Sequence, residues 1–194
     1  MPENEKPRKT WTMYKKALKI EDFTTCPWAN LTWTDHDLMN ASANSKYGKF
    51  ILTAEHAVRD TKQCLSNAVK LAGQSYDVGE YCMINQTKSG VILDLPKGVL
   101  IYPKQLSWTI TTSHSLNGYS DSYIKGYNVE TEQWDILGQY LFRVNGGFKT
   151  YHTYSLTKEN WYNKFQLYIN GYDTSNPYIG FKNFGVTLGT IQYK

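Results

Sequence analysis

Cysteine is scarce in this chain and falls into no framework. Cys26, Cys64 and Cys82 are an odd number at irregular spacing. Such a set does not build a disulfide scaffold, and without a Cys-x-x-Cys pair there is no structural zinc spacing. No apolar run reaches the roughly 18 residues that a membrane-spanning helix needs. The N-terminus lacks the apolar core of a secretory leader. His-Glu-x-x-His, Gly-x-Ser-x-Gly and the phosphate-cradling glycine loop are missing too. These absences lead us to expect a protein folded in a reducing cytoplasm. They also argue against an enzyme, and against a bound metal or cofactor.

Charge is absent from most of the chain in a second sense. Of 21 basic and 17 acidic residues, six basic and two acidic lie in residues 1–19, leaving 15 of each elsewhere. The whole net charge of +4 therefore belongs to the N-terminal segment. A neutral body argues against a nucleic-acid surface on the folded domain. The basic segment suits contact with an acidic partner.

Aromatic residues are abundant, at 15% of the chain, with 16 Tyr and 6 Trp. Tyrosine has an apolar ring and a polar tip, and so serves half-buried strands and wet binding surfaces alike. At 194 residues the chain suits one domain with an appended arm. We expect an attachment arm over residues 1–39, with Lys6, Arg8, Lys9, Trp11, Tyr14, Trp28 and Trp33 meeting a partner, and a folded domain over 40–194; the alternative for Trp28 and Trp33 is packing back on the domain. Asp35-His36-Asp37 reads as a polar turn rather than an acid–base or metal cluster.

Ala57, Cys64, Leu65, Ala68 and Leu71 follow helical spacing, which predicts a short helix or helical turn within 57–72. Elsewhere the period is two. Lys49–Thr53 is a first strand, and Pro96 and Gly98 separate two apolar strands in 89–101. Leu106, Trp108 and Ile110 alternate with Ser107, Thr109 and Thr111. Tyr123–Val129, Trp134–Val144, Lys164–Ile169, Tyr178–Phe181 and Phe184–Leu188 complete at least seven strands. Asn145-Gly146-Gly147 and Asn170-Gly171 are turn signals. Leu106–Ile110 and Tyr123–Val129 are expected to pair, with Trp134 and Leu137 in the core. Many short strands with close turns predict an all-β antiparallel β-sandwich of the jelly-roll kind.

Four segments together resemble one family. Val91-Ile92-Leu93-Asp94-Leu95-Pro96-Lys97-Gly98-Val99 comes first. Tyr123-Ile124-Lys125-Gly126-Tyr127-Asn128-Val129, with Trp134-x-x-Leu137-Gly138, comes second. Lys164-Phe165-Gln166-Leu167-Tyr168-Ile169 is third and Phe184-Gly185-Val186-Thr187-Leu188-Gly189 closes. In this order they are similar to the discoidin, or coagulation-factor C-type, branch of the galactose-binding-like β-sandwiches. The resemblance covers about half the chain.

The resemblance implies a module that binds rather than catalyses, through loops at one end of the sandwich. It would place the ligand on His114, Leu116, Asn117, Tyr119 and Asp121, and on Tyr76 and Tyr81. The family's calcium-associated turn is echoed by Ala57-Val58-Arg59-Asp60 without its glycine, so no metal is expected. The corresponding function is a structural or binding component of a larger assembly. The expected setting is a bacteriophage virion: a fibre, baseplate, tail or capsid-decoration protein, oligomeric in the particle and assembled in the host cytoplasm. The arm would hold other virion proteins, and the loops a host cell-surface glycan or another protein. The alternative is a carbohydrate-binding accessory domain or a small carbohydrate-active enzyme, with a cytoplasmic location.

Overall fold

The computed structural model describes residues 19–71, 80–112, 119–143, 147–153, 156, 158–171 and 178–194. Twelve strands run along it: β1 (Lys19–Phe23), β2 (Trp33–Asp35), β3 (Asn40–Ser45), β4 (Gly48–Ala54), β5 (Cys82–Ile84) and β6 (Lys88–Asp94), then β7 (Leu100–Thr112), β8 (Tyr119–Asn128), β9 (Gln133–Arg143), β10 (Gly147–Thr153), β11 (Tyr162–Gly171) and β12 (Ile179–Tyr193). Every strand pairing among the described residues is antiparallel. The all-β antiparallel sandwich expected from the strand pattern is the fold observed.

One half of the sandwich runs β2-β3-β4-β6-β11-β8-β9. The other runs β12-β7-β10, with β1 and β5 in tandem along the outer edge of β12. The halves are continuous through the pairing of Tyr162 on β11 with Ile101 on β7, so the whole is one curled sheet. Phe50, Leu52, Val91, Leu93, Ile124, Phe165, Leu167 and Ile169 from the first half face Leu106, Trp108, Ile110, Phe181, Phe184, Val186 and Ile191 from the second. On β11 the buried Phe165, Leu167 and Ile169 alternate with half-buried Gln166, Tyr168 and Asn170, as a pleated strand with one covered face requires.

Turns follow local chemistry. Between β6 and β7, Gly98 takes φ +81° and the Val99 amide donates to the Pro96 carbonyl at 3.0 Å. Between β8 and β9, the Asn128 side-chain oxygen accepts from the Glu130 amide at 2.9 Å. On β8, a Cβ at Gly126 would lie 2.6 Å from Tyr162 Cδ1; only glycine lets the two strands meet there.

Several expectations differ from the structure. Among the described residues the sandwich already includes Lys19–Phe23 and Trp33–Asp35, ahead of the boundary expected at residue 40. β1 pairs with β12 from Lys19–Tyr193 to Phe23–Gly189, and β2 pairs with β3. Trp28, expected either to meet a partner or to pack back on the domain, does the second and is 1% exposed. Its ring lies 5.5 Å from Phe184, 6.0 Å from Phe165 and 6.1 Å from Phe50, and its Nε1 donates to the Phe184 carbonyl at 3.0 Å. Trp33 is half-buried and packs against the same core.

The short helix or helical turn expected within 57–72 is, among the described residues, a single 3-10 turn at Leu65–Ala68. Val58 instead bridges to Ile84, and the Asp60 carboxylate caps the Lys62 and Gln63 amides at 2.9 Å each, which holds the chain in turns. The two terminal strands expected around 178–188 are one strand, β12, interrupted by a register shift at Lys182/Gly185, where Asn183 takes φ +56°.

β7 and β8 do not pair with each other. They face across the core, where Trp108 Nε1 donates to Ser122 Oγ at 3.1 Å. Ser107 and Thr109 are buried as well as their apolar neighbours, because β7 is an interior strand. Leu137 is in the core as expected, whereas Trp134 is 36% exposed.

Candidate functional site

One rim of the sandwich collects four connections. In the second half, Val58, Ile84, Ile179, Thr112 and Gly147 stand in one transverse row of backbone pairings. At about 4.8 Å per step that row spans roughly 19 Å. In the first half, Gly171 pairs with Ser120, Tyr119 pairs with Arg143, and the Gly171 amide donates to the Thr87 carbonyl at 2.7 Å. The connections 85–87, 113–118, 144–146 and 172–177 therefore all leave the strands at this rim.

The described side chains here are polar and aromatic. Asn85 and Gln86 are exposed, and the Arg59 guanidinium sits 5.1 Å from the centre of the Tyr178 ring. An aromatic ring with a stacked cation, beside free amides, is equipped to meet a flat polyhydroxylated ligand. Asp121 lies one step inside the rim; its Oδ2 accepts from the Tyr123 hydroxyl at 3.2 Å.

His114, Leu116, Asn117 and Tyr76 lie outside the described residues, as do Lys6, Arg8, Lys9, Trp11 and Tyr14. Tyr119 opens β8, next to Arg143 of β9. Tyr81 is not a surface ligand contact: it is buried, with Lys182 Nζ 5.4 Å from its ring centre. Lys182 is itself 1% exposed and pairs with Glu80 at 2.8 Å. The connection 72–79 thus joins the fold beside β12 at Leu71, near Gly185, and at Glu80, near Lys182. From Lys182 to the rim at Ile179 is three residues, about 10 Å.

Sequence reasoning missed Arg59, Asn85, Gln86 and Tyr178. The rim row forms from residues far apart in the chain, so nothing in local pattern brings Arg59 to Tyr178. Tyr123, Lys125 and Tyr168 were within reach. On β8 the half-buried Asp121, Tyr123, Lys125 and Tyr127 alternate with buried Ser122, Ile124 and Asn128, so parity alone turns them outward.

Asp35, His36 and Asp37 are engaged structurally. Asp35 accepts from the Ser66 amide at 3.0 Å and the Ser66 hydroxyl at 2.8 Å, and the His36 ring meets Ser42 Oγ at 2.9 Å. The Met39 amide donates to Asp37 at 2.6 Å, and this bond with those from Asn40 holds the Asp37 carboxyl below its usual range. Among the described residues no group of three or more His, Cys, Asp or Glu side chains is placed to hold a metal ion. Cys26, Cys64 and Cys82 are free thiols, and burial pushes the Cys26 thiol up to about 12. Among the described residues no helix is long and apolar enough to cross a membrane.

No family model matches the sequence, and no curated protein does. Some solved structures are similar to part of this chain. A Ruminococcus gnavus GH29 fucosidase in complex with fucose is similar over 71% of this chain at 12% identity and TM-score 0.46; the chain spans 25% of that protein. The F5/8 type C domain of a Bacteroides fragilis protein is similar over 72% of this chain and 90% of its own, at 12% identity and TM-score 0.45. The family 32 CBM of Clostridium perfringens NanJ, in complex with galactose, is similar over 79% of this chain and 99% of its own, at 10% identity and TM-score 0.41.

Proposed function

We propose that this chain is a non-catalytic module that binds a glycan at the rim where connections 85–87, 113–118, 144–146 and 172–177 leave the strands. The observation that carries the reading is the transverse row Val58-Ile84-Ile179-Thr112-Gly147, which fixes loop anchors from five separate parts of the chain side by side. A rigid scaffold with variable connections gathered at one end is a general way to build a binding surface. His114, Leu116, Asn117, Tyr119 and Asp121 belong to this surface by position in the chain, and Arg59, Asn85 and Tyr178 join them.

The test is a glycan array with galactose- and fucose-terminated sugars, followed by calorimetry. Arg59→Ala and Asn117→Ala are expected to weaken the best array ligand at least tenfold, a loss of about 1.4 kcal/mol. Unchanged affinity in both variants removes the rim from consideration. Measurable turnover of a glycan substrate removes the non-catalytic reading.

We further propose that the module works inside a larger particle, a phage virion in the first instance, with the basic residues before Lys19 holding a neighbouring protein. The concentration of the whole net charge in residues 1–19 supports this. Mass spectrometry of purified virions checks the location. Removing residues 1–18 is expected to leave the melting temperature unchanged and to abolish incorporation into particles.

A further inference from the structure

The outer face of β8 and β11 carries a set of side chains that the core does not use and that, Asp121 apart, the rim does not use either. Gln139, Tyr123, Tyr168 and Gly90 form one transverse row across β9, β8, β11 and β6. The two tyrosine rings are 6.4 Å apart at 52°. Beyond them Gly90 leaves the row without a side chain: a Cβ there would sit 2.9 Å from Tyr168 Cδ2, so the ring lies down over the glycine backbone. Lys125, in the neighbouring row, places Nζ 5.6 Å from the Tyr123 ring centre and 5.5 Å from that of Tyr168.

Polar groups surround the rings. Gln139 Nε2 donates to the Tyr123 hydroxyl at 3.3 Å, and that hydroxyl donates to Asp121 at 3.2 Å. Gln166 Nε2 donates to Glu55 at 3.2 Å. Burial, and then the nearby Asp121 and Glu55 carboxylates, raise the two phenols, Tyr123 and Tyr168 respectively. Among the described residues Lys125 has no ion-pair partner, and the Tyr168 hydroxyl has no hydrogen-bond partner.

A cross-strand tyrosine pair by itself serves sheet stability. Sheet stability does not call for two carboxylates, two amides and an unpaired ammonium around the rings. A pyranose presents one flat C–H face and a rim of hydroxyls, and matches both parts of this arrangement. The Asp121 and Glu55 carboxylates beside the rings disfavour an anionic sugar and favour a neutral one. We propose that the outer face of β8–β11 is a second carbohydrate site, for a neutral pyranose stacked on Tyr123 and Tyr168 with its hydroxyls on Lys125, Gln139 and Asp121. It lies about 10 Å along β8 from Ser120 at the rim, and it stands independently of the rim reading.

The probes are methyl galactoside, methyl glucoside and methyl N-acetylglucosaminide, with methyl glucuronide as the charged counterpart, each titrated into isotope-labelled full-length chain. A neutral probe is expected to shift the amides of 122–125 and 166–169. Tyr168→Ala is expected to weaken this binding about tenfold or more, while Tyr168→Trp retains it. Gln139→Ala, an exposed edge change, checks the site without touching packing, and an approximately threefold loss is expected. Shifts confined to the rim amides 119–120, 171 and 179, unaltered in Tyr168→Ala, overturn the second site and leave the rim reading standing. Preferential binding of the glucuronide overturns the neutral-sugar assignment. No shift at 122–125 or 166–169 with any probe at tens of millimolar overturns the site altogether.

Discussion

Trp28 and Trp134 exchange the places their surroundings suggest. Trp28 follows a proline in a stretch that reads as loop, yet it is wedged between both halves of the sandwich against Phe50, Phe165 and Phe184. Trp134 sits on a strand next to a tight turn and reads as core, yet it lies on the outer face, 5.4 Å from Tyr127 in an edge-to-face contact. The reason is parity. Trp134 and Leu137 are three residues apart, and on a strand with period two an odd separation sends them to opposite faces. Leu137 is buried, so Trp134 is not, and the buried neighbour on its side of the count is Asp135. Trp28 shows the converse: a residue outside any strand is free of parity and can plug whatever gap the strands leave.

The contrast is sharpest in truncation. Deleting residues 1–39 removes β1, Trp28 and β2 together. We expect the remaining chain not to fold cooperatively, whereas a separable arm would leave a sharp urea transition; circular dichroism and urea titration decide. Next in size, Trp28→Ala leaves a cavity in the middle of the core and is expected to cost about 3–5 kcal/mol, read from urea unfolding. Trp134→Ala removes an outer contact, and its cost is expected to stay below about 1 kcal/mol. Equal effects of the two substitutions would break the comparison.

The third test is Asp135. Burial pushes its carboxyl up, but bonds from Lys158 at 2.8 Å, Asn128 at 3.0 Å and the Tyr162 hydroxyl at 3.1 Å outweigh burial and hold it below the usual carboxylate range. A carboxylate lowered in the folded state stabilises fully above its unfolded value, near pH 4, and loses that contribution as pH falls through the folded value. Asp135→Asn is therefore expected to cost about 1–3 kcal/mol at pH 7 and to flatten the loss of stability below about pH 4. An unchanged acid limb would show that the contacts around Asp135 do not set it.

The strands visible in the sequence are those with a strong apolar alternation and one covered face. Phe165, Leu167 and Ile169 on β11 are the clearest case, and the β6–β7 corner announces itself through Pro96 and Gly98. β2, β3, β5 and β10 were not foreseen. β3, Asn-Ala-Ser-Ala-Asn-Ser, buries Ala41, Ser42 and Ala43, residues too small to mark a hydrophobic face. β1 is an edge strand whose Glu21 and Asp22 are held by partners far along the chain: Tyr47 and Tyr193 for the first, Thr190 and Lys104 for the second. At the candidate site the limit is similar. Asp121 and the outward tyrosines follow from parity, but the Arg59–Tyr178 contact depends on a transverse row that only the folded sheet creates.

The pairing of Lys19 with Tyr193 has a practical bearing on how the protein can be handled. β12 starts at the rim and runs its fifteen residues to the opposite pole, roughly 45 Å if fully extended. Lys19 sits beside Tyr193 at that far pole. A linker or a solid support attached at Lys19 or Tyr193 points away from the loops, so a molecule immobilised at either residue displays its rim outward.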